Sequence, residues 1–345
     1  MNSSSRTYTL MFMIQKNKLI IKIAASLIAG LVAAFLLAVL VFNIFTKAPA
    51  TKNLFHSKKA FVIPYSNKGY IAQGLTYDQA SGNFYLTGYM KNGSASPIFV
   101  VNKKSRKLVT AVFMTNPDGS DFCGHAGGLS VMGDKIYIAG SADSCFYVFD
   151  KTAVDNAAKK SRIAYSQVVN LAAGQDTIKV AYSTVYGGML YAGEFYRDPE
   201  YILPENHKVN TKDGLQYALA VGFKLDDAGN TTAAVAFSIP NQIQGMCFSN
   251  DSIYLTMSWG LGQSKVYRYN YGSLSPSGTK EVCGQKVPLY ELTLKNMSGC
   301  WTLPPMAEEI EFVDGRFYVN NESASDKYVF GKFTGGKWLR AYDLK

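Results

Sequence analysis

A histidine set among glycines is the sharpest chemical feature of the chain. His125 stands in Cys123-Gly124-His125-Ala126-Gly127-Gly128, where the glycines permit close backbone approach. An imidazole so placed could bind a ligand or a metal, or move a proton; it could equally hold a tight turn by bonding backbone. The densest acidic cluster is Glu308, Glu309 and Glu311, in Pro304-Pro305-Met306-Ala307-Glu308-Glu309-Ile310-Glu311. On a strand Glu309 and Glu311 share one face and Glu308 takes the other. A carboxylate near His125 could act as a base or hold a hard cation, or it could order the amides of neighbouring strands. Glu194, Trp259 and Glu322 complete the set. The indole could present a face to a sugar or peptide, or pack between strands.

Other chemistries lack their residues. Asp118-Gly119-Ser120-Asp121 has neither the spacing nor the closing glutamate of a calcium loop. The three histidines lie far apart, and no Cys/His spacing suits zinc. There is no GxSxG, and Gly335-Gly336-Lys337 lacks the spacing and the hydroxyl of a phosphate loop. No cofactor is expected, a divalent cation being the one candidate, and no metal ligand set is assigned.

The elements that must position these residues are written as a repeat. An aliphatic or aromatic residue followed by tyrosine recurs at Phe84-Tyr85, Ile136-Tyr137, Leu190-Tyr191, Ile253-Tyr254 and Phe317-Tyr318. Each pair follows a turn signal, and each turn follows another short apolar segment, such as Gly74-Leu75-Thr76-Tyr77 or Gly245-Met246-Cys247-Phe248. Strand, tight turn and aromatic strand at intervals of 52, 54, 63 and 64 residues predict the blades of an all-β propeller built from four-stranded antiparallel sheets. Counting gives five blades, with six as the alternative. Later strands follow in each repeat, including Val287–Leu292 in the fourth, and Tyr328–Phe333 and Trp338–Leu344 in the fifth. Phe61-Val62-Ile63 is a spare strand for closing the ring, and Thr152–Lys160 a short loop helix.

In a propeller the loops entering the innermost strands gather at one mouth of a central channel. The residues there are Gln73, His125, Tyr182, Gln244 and Glu308-Glu309, brought together by repeat symmetry. The ligand-binding candidates are thus Gln73, His125, Tyr182, Gln244, Trp259, Glu309 and Glu322. The catalytic candidates are His125, Glu308, Glu309 and Glu194. Arg197, Asp198 and Glu200 open the longest insertion, which either covers the channel or is a solvated loop.

Ile23 to Phe45 is almost wholly apolar, and 23 residues at 1.5 Å each span about 34 Å, enough for a bilayer core. Arg6, Lys16, Lys18 and Lys22 precede it and only Lys47 follows closely, which places the N-terminus in the cytoplasm. The expected order is a basic tail (1–22), a transmembrane signal-anchor (23–45), a basic stalk (46–60) and an extracytoplasmic propeller (61–345). Secretion after cleavage near Ala48-Pro49-Ala50 is the competing reading. Nine of the formal +10 charges lie before Asp78, the first acidic residue, leaving 10 − 9 = +1 on the rest. That is the footprint of a membrane flank and not of a nucleic-acid binder.

Five cysteines cannot all pair internally. With Cys247 in an apolar strand, Cys123 with Cys145 and Cys283 with Cys300 are the economical disulfides in an oxidising compartment.

Residues 61–89 and 124–140 (GHAGGLSVMGDKIYIAG) resemble exported bacterial β-propeller proteins of the YncE/TolB-like class. The resemblance implies an extracytoplasmic propeller and little about substrate. The expected role is a membrane-held binding module for an envelope glycan, a peptide or a partner protein. The alternatives are a metal- or acid/base-dependent hydrolase or lyase at the channel mouth, and a structural scaffold.

Overall fold

The computed structural model describes residues 3–328 and 331–344, which fall into two compact units, residues 1–45 and 46–345. The first unit belongs to a single helix, Ser3–Lys47, whose stretch from Met11 is long and apolar enough to cross a membrane. The second is a five-bladed propeller.

From the channel outward, the first blade runs Tyr70–Asp78, Asn83–Met90, Pro97–Asn102 and Leu108–Thr115, with Arg162–Ala164 added at its rim. The second runs Leu129–Met132, Lys135–Gly140, Cys145–Asp150 and Gln167–Asn170. The third runs Val180–Tyr186, Met189–Glu194, Ala218–Leu225 and Thr231–Ile239. Ile243–Ser249, Ser252–Met257, Ser264–Asn270 and Gly299–Leu303 make the fourth. In the fifth, Ala307–Val313, Arg316–Asn321 and Trp338–Tyr342 are completed by Lys58–Val62 from the start of the chain.

That last pairing, with Phe61 opposite Leu339 and Val62 opposite Trp338, closes the ring as the spare strand predicted. It begins at Lys58, so part of the segment read as a stalk is sheet. Thr51–His56 is a helix, and Asn53 Nδ2 donates to the Thr302 carbonyl of the fourth blade at 2.8 Å. The expected loop helix forms at Lys151–Asn156, capped by Asp150, which accepts from the Ala153 amide.

Two strand assignments are corrected. Gln285–Glu291 does not finish the fourth blade; it pairs in parallel with Thr231–Ile239 and, with Gly278–Val282, widens the third. The third strand of the fifth blade is Trp338–Tyr342, while Gly331–Thr334 is a 3-10 turn. Part of the predicted strand, Val329 and Phe330, lies outside the described residues.

The repeated pair explains how the blades stack. Neighbouring residues on a strand point to opposite faces, so each pair offers its tyrosine to one adjacent blade and its other residue to the other. Tyr318 meets Phe84 at 4.8 Å between ring centres, and Tyr254 meets Phe317 at 4.2 Å. Tyr85 with Ile136, Tyr137 with Leu190, and Tyr191 with Ile253 share the remaining interblade cores. All five tyrosines are buried.

Candidate functional site at the channel mouth

The ladders fix which positions are equivalent. Leu75, Leu129, Ser183, Met246 and Ile310 each lie opposite the residue after a repeated tyrosine. Two residues earlier stand Gln73, Gly127, Ala181, Gln244 and Glu308. In four blades the register shifts at this point: between Ala72 and Leu75, Val180 and Tyr182, Ile243 and Gly245, and Ala307 and Ile310. Each shift is a β-bulge, which bends a strand and re-aims its side chains. Gln73, Ala181, Gln244 and Glu308 consequently line one cavity of about 860 Å³, with His125 beside them.

A second ring comes from the next strands. Tyr89, Ser141, Phe195, Ser258 and Glu322 each lie four residues after a repeated tyrosine, and all five line the same cavity. The sequence reading named only Glu322 of these, and counting four from each tyrosine would have found the others. It also misplaced two entry positions. The first blade's hairpin loop is two residues longer than the others, so His125 precedes its equivalent position by two. Tyr182 follows Ala181 and is buried beneath the cavity, not part of its lining.

Below the bulges the channel is plugged. The equivalents of Glu309 in three other blades are Gly74, Gly128 and Gly245, where a Cβ would strike the next blade: Leu129 Cβ at 2.7 Å, Tyr182 C at 2.8 Å and Glu309 Cα at 2.7 Å. The fifth blade has Glu309 at this position and the third has Tyr182, whose ring lies against Gly193 of its own blade. The Glu309 carboxylate accepts the amides of Leu75 at 2.6 Å, Ser183 at 2.8 Å and Leu129 at 3.4 Å, from three blades. Burial pushes its pKa up while these amides oppose the shift. Glu311, one turn of the pleat further along, is raised to about 7 by burial, against the Thr76 hydroxyl. Side chains on the second strands stitch the bulges together: Asn320 Nδ2 donates to Gln73 O at 2.7 Å, and Thr256 Oγ1 to Glu308 O at 2.7 Å.

The polar groups at the mouth form a chain. His125 Nε2 donates to Gln73 Oε1 at 2.6 Å, and Gln73 Nε2 donates to Ala72 O and to Glu322 Oε2, each at 3.0 Å. Tyr328 Oη donates to the same oxygen at 2.8 Å. With both amide protons of Gln73 in use, its oxygen can only accept, which sets the histidine tautomer. His125 is exposed into the cavity yet has protein on most sides, with Tyr89 stacked on it at 4.7 Å. Desolvation and the Lys327 charge lower its pKa to about 4, so the ring is neutral at pH 7. Lys327 Nζ bonds Tyr89 Oη at 2.5 Å.

Glu308 differs from every other group here. It is 3 % exposed and its carboxylate has no hydrogen-bond donor among the described residues. Burial raises its pKa well above the ordinary 4.5, and the Glu322 and Glu309 charges raise it further. Burial also raises Glu322, against the Tyr328 hydroxyl, Lys327 and Gln73.

The insertion after the third blade's second strand walls the cavity with Glu200, Tyr201, Ile202 and Leu203. The sequence left it either a cover for the channel or a solvated loop; it lines the cavity, with Tyr201 and Ile202 still 49 % exposed. Trp259, 38 % exposed, lies 5.9 Å from both Phe195 and Tyr201, with the Arg197 guanidinium 4.1 Å over its ring. Arg197 also pairs with Glu200.

Glu194 points away from this cavity. Fully buried, it faces His207 Nδ1 at 2.9 Å and accepts the amides of Lys179 and Leu219. His207 Nε2 meets Asp176 at 2.9 Å, and Asp176 accepts the Cys283 amide at 2.6 Å. Burial disfavours the imidazolium, but the two carboxylates outweigh it and raise the His207 pKa. The set is a clasp holding the insertion to the third blade.

The structure therefore gathers Gln73, His125, Gln244, Trp259, Glu308 and Glu322 at one cavity, and puts Tyr182, Glu309 and Glu194 elsewhere. Neither expected disulfide forms: all five cysteines are free. Cys123 is on an exposed loop while Cys145 is buried in the second blade; Cys283 contacts Leu171 O, and Cys300 is exposed on the fourth blade's outer strand. Among the described residues no group of three His, Cys, Asp or Glu is placed to hold a metal ion.

No protein-family profile and no curated protein sequence matches the chain. It is similar in fold to solved structures. The Myxococcus xanthus glutaminyl cyclase has a TM-score of 0.43 at 9 % identity, over 84 % of this chain and 93 % of that one. The PQQ-bound aldose sugar dehydrogenase of Streptomyces coelicolor has 0.43 at 10 %, over 83 % and 96 %. A nidogen/laminin complex has 0.40 at 11 %, over 73 % of each chain. At these identities the likeness assigns no activity.

Proposed function

We propose that this chain is a single-pass membrane protein whose propeller, held outside the cytoplasm, binds a small ligand in the channel-mouth cavity. The observation that carries the reading is the cavity itself: about 860 Å³, with polar groups and aromatic walls contributed by all five blades. A concave site with a few convergent polar groups among aromatic rings is the usual form of a small-molecule site. An envelope glycan or a peptide end fits such a lining, the rings covering apolar faces and Gln73, Gln244 and Glu322 serving hydroxyls or amides.

The hydrolase or lyase reading keeps less support. It needs His125 and a glutamate at one reaction centre, and of its three glutamates Glu309 is committed to backbone amides and Glu194 to His207. Only Glu308 remains beside His125 in the lining.

Trp259 makes the binding reading measurable. Titration of the full chain in detergent micelles with envelope oligosaccharides and short peptides should change its fluorescence and raise the Tm. Trp259→Ala should weaken binding in a protein that is still folded, with the unliganded Tm lower by a few degrees because the ring also packs on Phe195, Tyr201 and Arg197. If no oligosaccharide or peptide shifts either signal, the reading fails. The topology is tested separately by protease treatment of intact cells. Digestion of the propeller from outside is expected, and protection would reverse the orientation.

A further inference from the structure

Glu308 poses a problem that the protein does not solve internally. It is a carboxylate more than nine-tenths buried, turned into an open cavity, with no donor among the described residues and the Glu322 carboxylate nearby. A buried acid is normally paired or hydrogen-bonded. The lysines of the lining make their hydrogen bonds elsewhere, Lys327 to Tyr89 and Lys179 Nζ to the Ile202 carbonyl at 3.1 Å, and the Lys327 charge acts on Glu322 but not on Glu308. None forms an ion pair with Glu308 or Glu322 among the described residues. Glu322 presents the same need in part, since among the described residues its Oε2 alone receives donors, from Gln73 and Tyr328.

Resting on the small-ligand reading above, we propose that the cavity takes its ligand by an ammonium group. The group is seated between Glu308 and Glu322 while the body of the molecule lies against Tyr89 and Trp259. An ammonium brings up to three donors and a positive charge, so it can hold Glu308 ionised beside Glu322, where the cavity by itself favours the protonated acid. A hydroxyl group would supply a donor but no charge to offset a second buried carboxylate. A hard metal ion asks for six or more oxygen ligands, and among the described residues no group of three His, Cys, Asp or Glu is placed to start such a set. Lys327 stands 5.0 Å over the Tyr89 ring and Arg197 4.1 Å over that of Trp259, so the rings offer contact to the apolar body of the ligand and the carboxylates take its charge.

The test uses pairs of probes that differ in the amine alone: glucosamine against N-acetylglucosamine, and 2-phenylethylamine against 2-phenylethanol. Affinity is measured by calorimetry on the full chain in detergent micelles. The amine of at least one pair is expected to bind about tenfold or more tightly than its neutral partner. Glu308→Gln should remove that preference, and Glu322→Gln should reduce it. Circular dichroism and Tm establish that each variant is folded. Equal affinity within both pairs, or an amine preference that survives in folded Glu308→Gln, overturns the ammonium assignment while leaving small-ligand binding intact. Binding of neutral oligosaccharides or peptides with silent amines does the same. Silence from every probe defeats both readings.

Discussion

Glu308 and Glu309 are adjacent, both buried and of one chemical type, yet their removal should move stability in opposite directions. Glu309→Ala takes away the acceptor for the Leu75 amide at 2.6 Å and the Ser183 amide at 2.8 Å, with the 3.4 Å contact to Leu129 adding less. Leaving a buried donor unsatisfied costs about 1–3 kcal/mol, so two well-made bonds set the loss at about 2–6 kcal/mol, a large share of a domain's net stability. For a domain of this size that lowers the Tm by at least about 3 °C. Glu309→Gln keeps the shape but turns an NH2 towards an amide that needs an acceptor, so it should lose about half as much. Glu308→Gln removes a carboxylate without a donor and relieves its repulsion with Glu322, so it should be neutral or stabilising. The assay is chemical and thermal unfolding of the full chain in micelles, followed by near-ultraviolet circular dichroism. If Glu309→Ala unfolds no earlier than Glu308→Gln, the central carboxylate is not the tie between blades.

Three further outcomes are expected. The folded pKa of Glu308 lies above its unfolded value, so its protonated form is favoured by folding. That stability is complete below about pH 4.5 and is lost as pH rises through the folded value; in Glu308→Gln this fall should flatten, as read from unfolding curves at stepped pH. His207 is also raised, so the clasp contributes fully below about pH 6.5 and fades as pH climbs through its folded pKa. Hydrogen exchange across 197–216 should then quicken with pH beyond the intrinsic rate, and should no longer do so in His207→Gln. For the free thiols, maleimide should label Cys123 and Cys300 in the folded protein without reductant, and Cys145 and Cys247 only after denaturation; protection of Cys123 that depends on oxidation would restore a disulfide.

The blade count was legible because the dipeptide repeat is a packing rule. Each tyrosine has to meet the next blade and each residue before it the previous one, so the pattern survives insertions of any length between strands. The outer strands were less legible for the converse reason. An apolar alternation such as Val287-Pro288-Leu289-Tyr290 states that a strand exists and not which edge it joins, and here the third blade's rim offered the partner. The same ambiguity hid the last blade's third strand, whose neighbour, Lys58–Val62, lies at the other end of the chain.

The site was harder to read because its residues sit where the repeat is broken. A bulge inserts one residue without leaving a sequence signature, and it decides whether Ala181 or Tyr182 faces the cavity. Alignment by tyrosines cannot place the entry positions to better than the length of each hairpin loop, which is how His125 came to stand for Gly127. Counted from the tyrosines in the other direction, no loop intervenes, and the wall residues fall at a constant spacing of four. The two rings thus divide the labour. On the wall side, regular strand geometry presents whatever residue each blade carries. On the floor, Gly74, Gly128 and Gly245 leave no room for a Cβ, and the strands close in tightly beside the Glu309 side chain, whose carboxylate ties three blades. With Glu309 spent on the fold, the neighbouring carboxylate of Glu308 is left over, buried by the same bulge and aimed the other way, into the cavity.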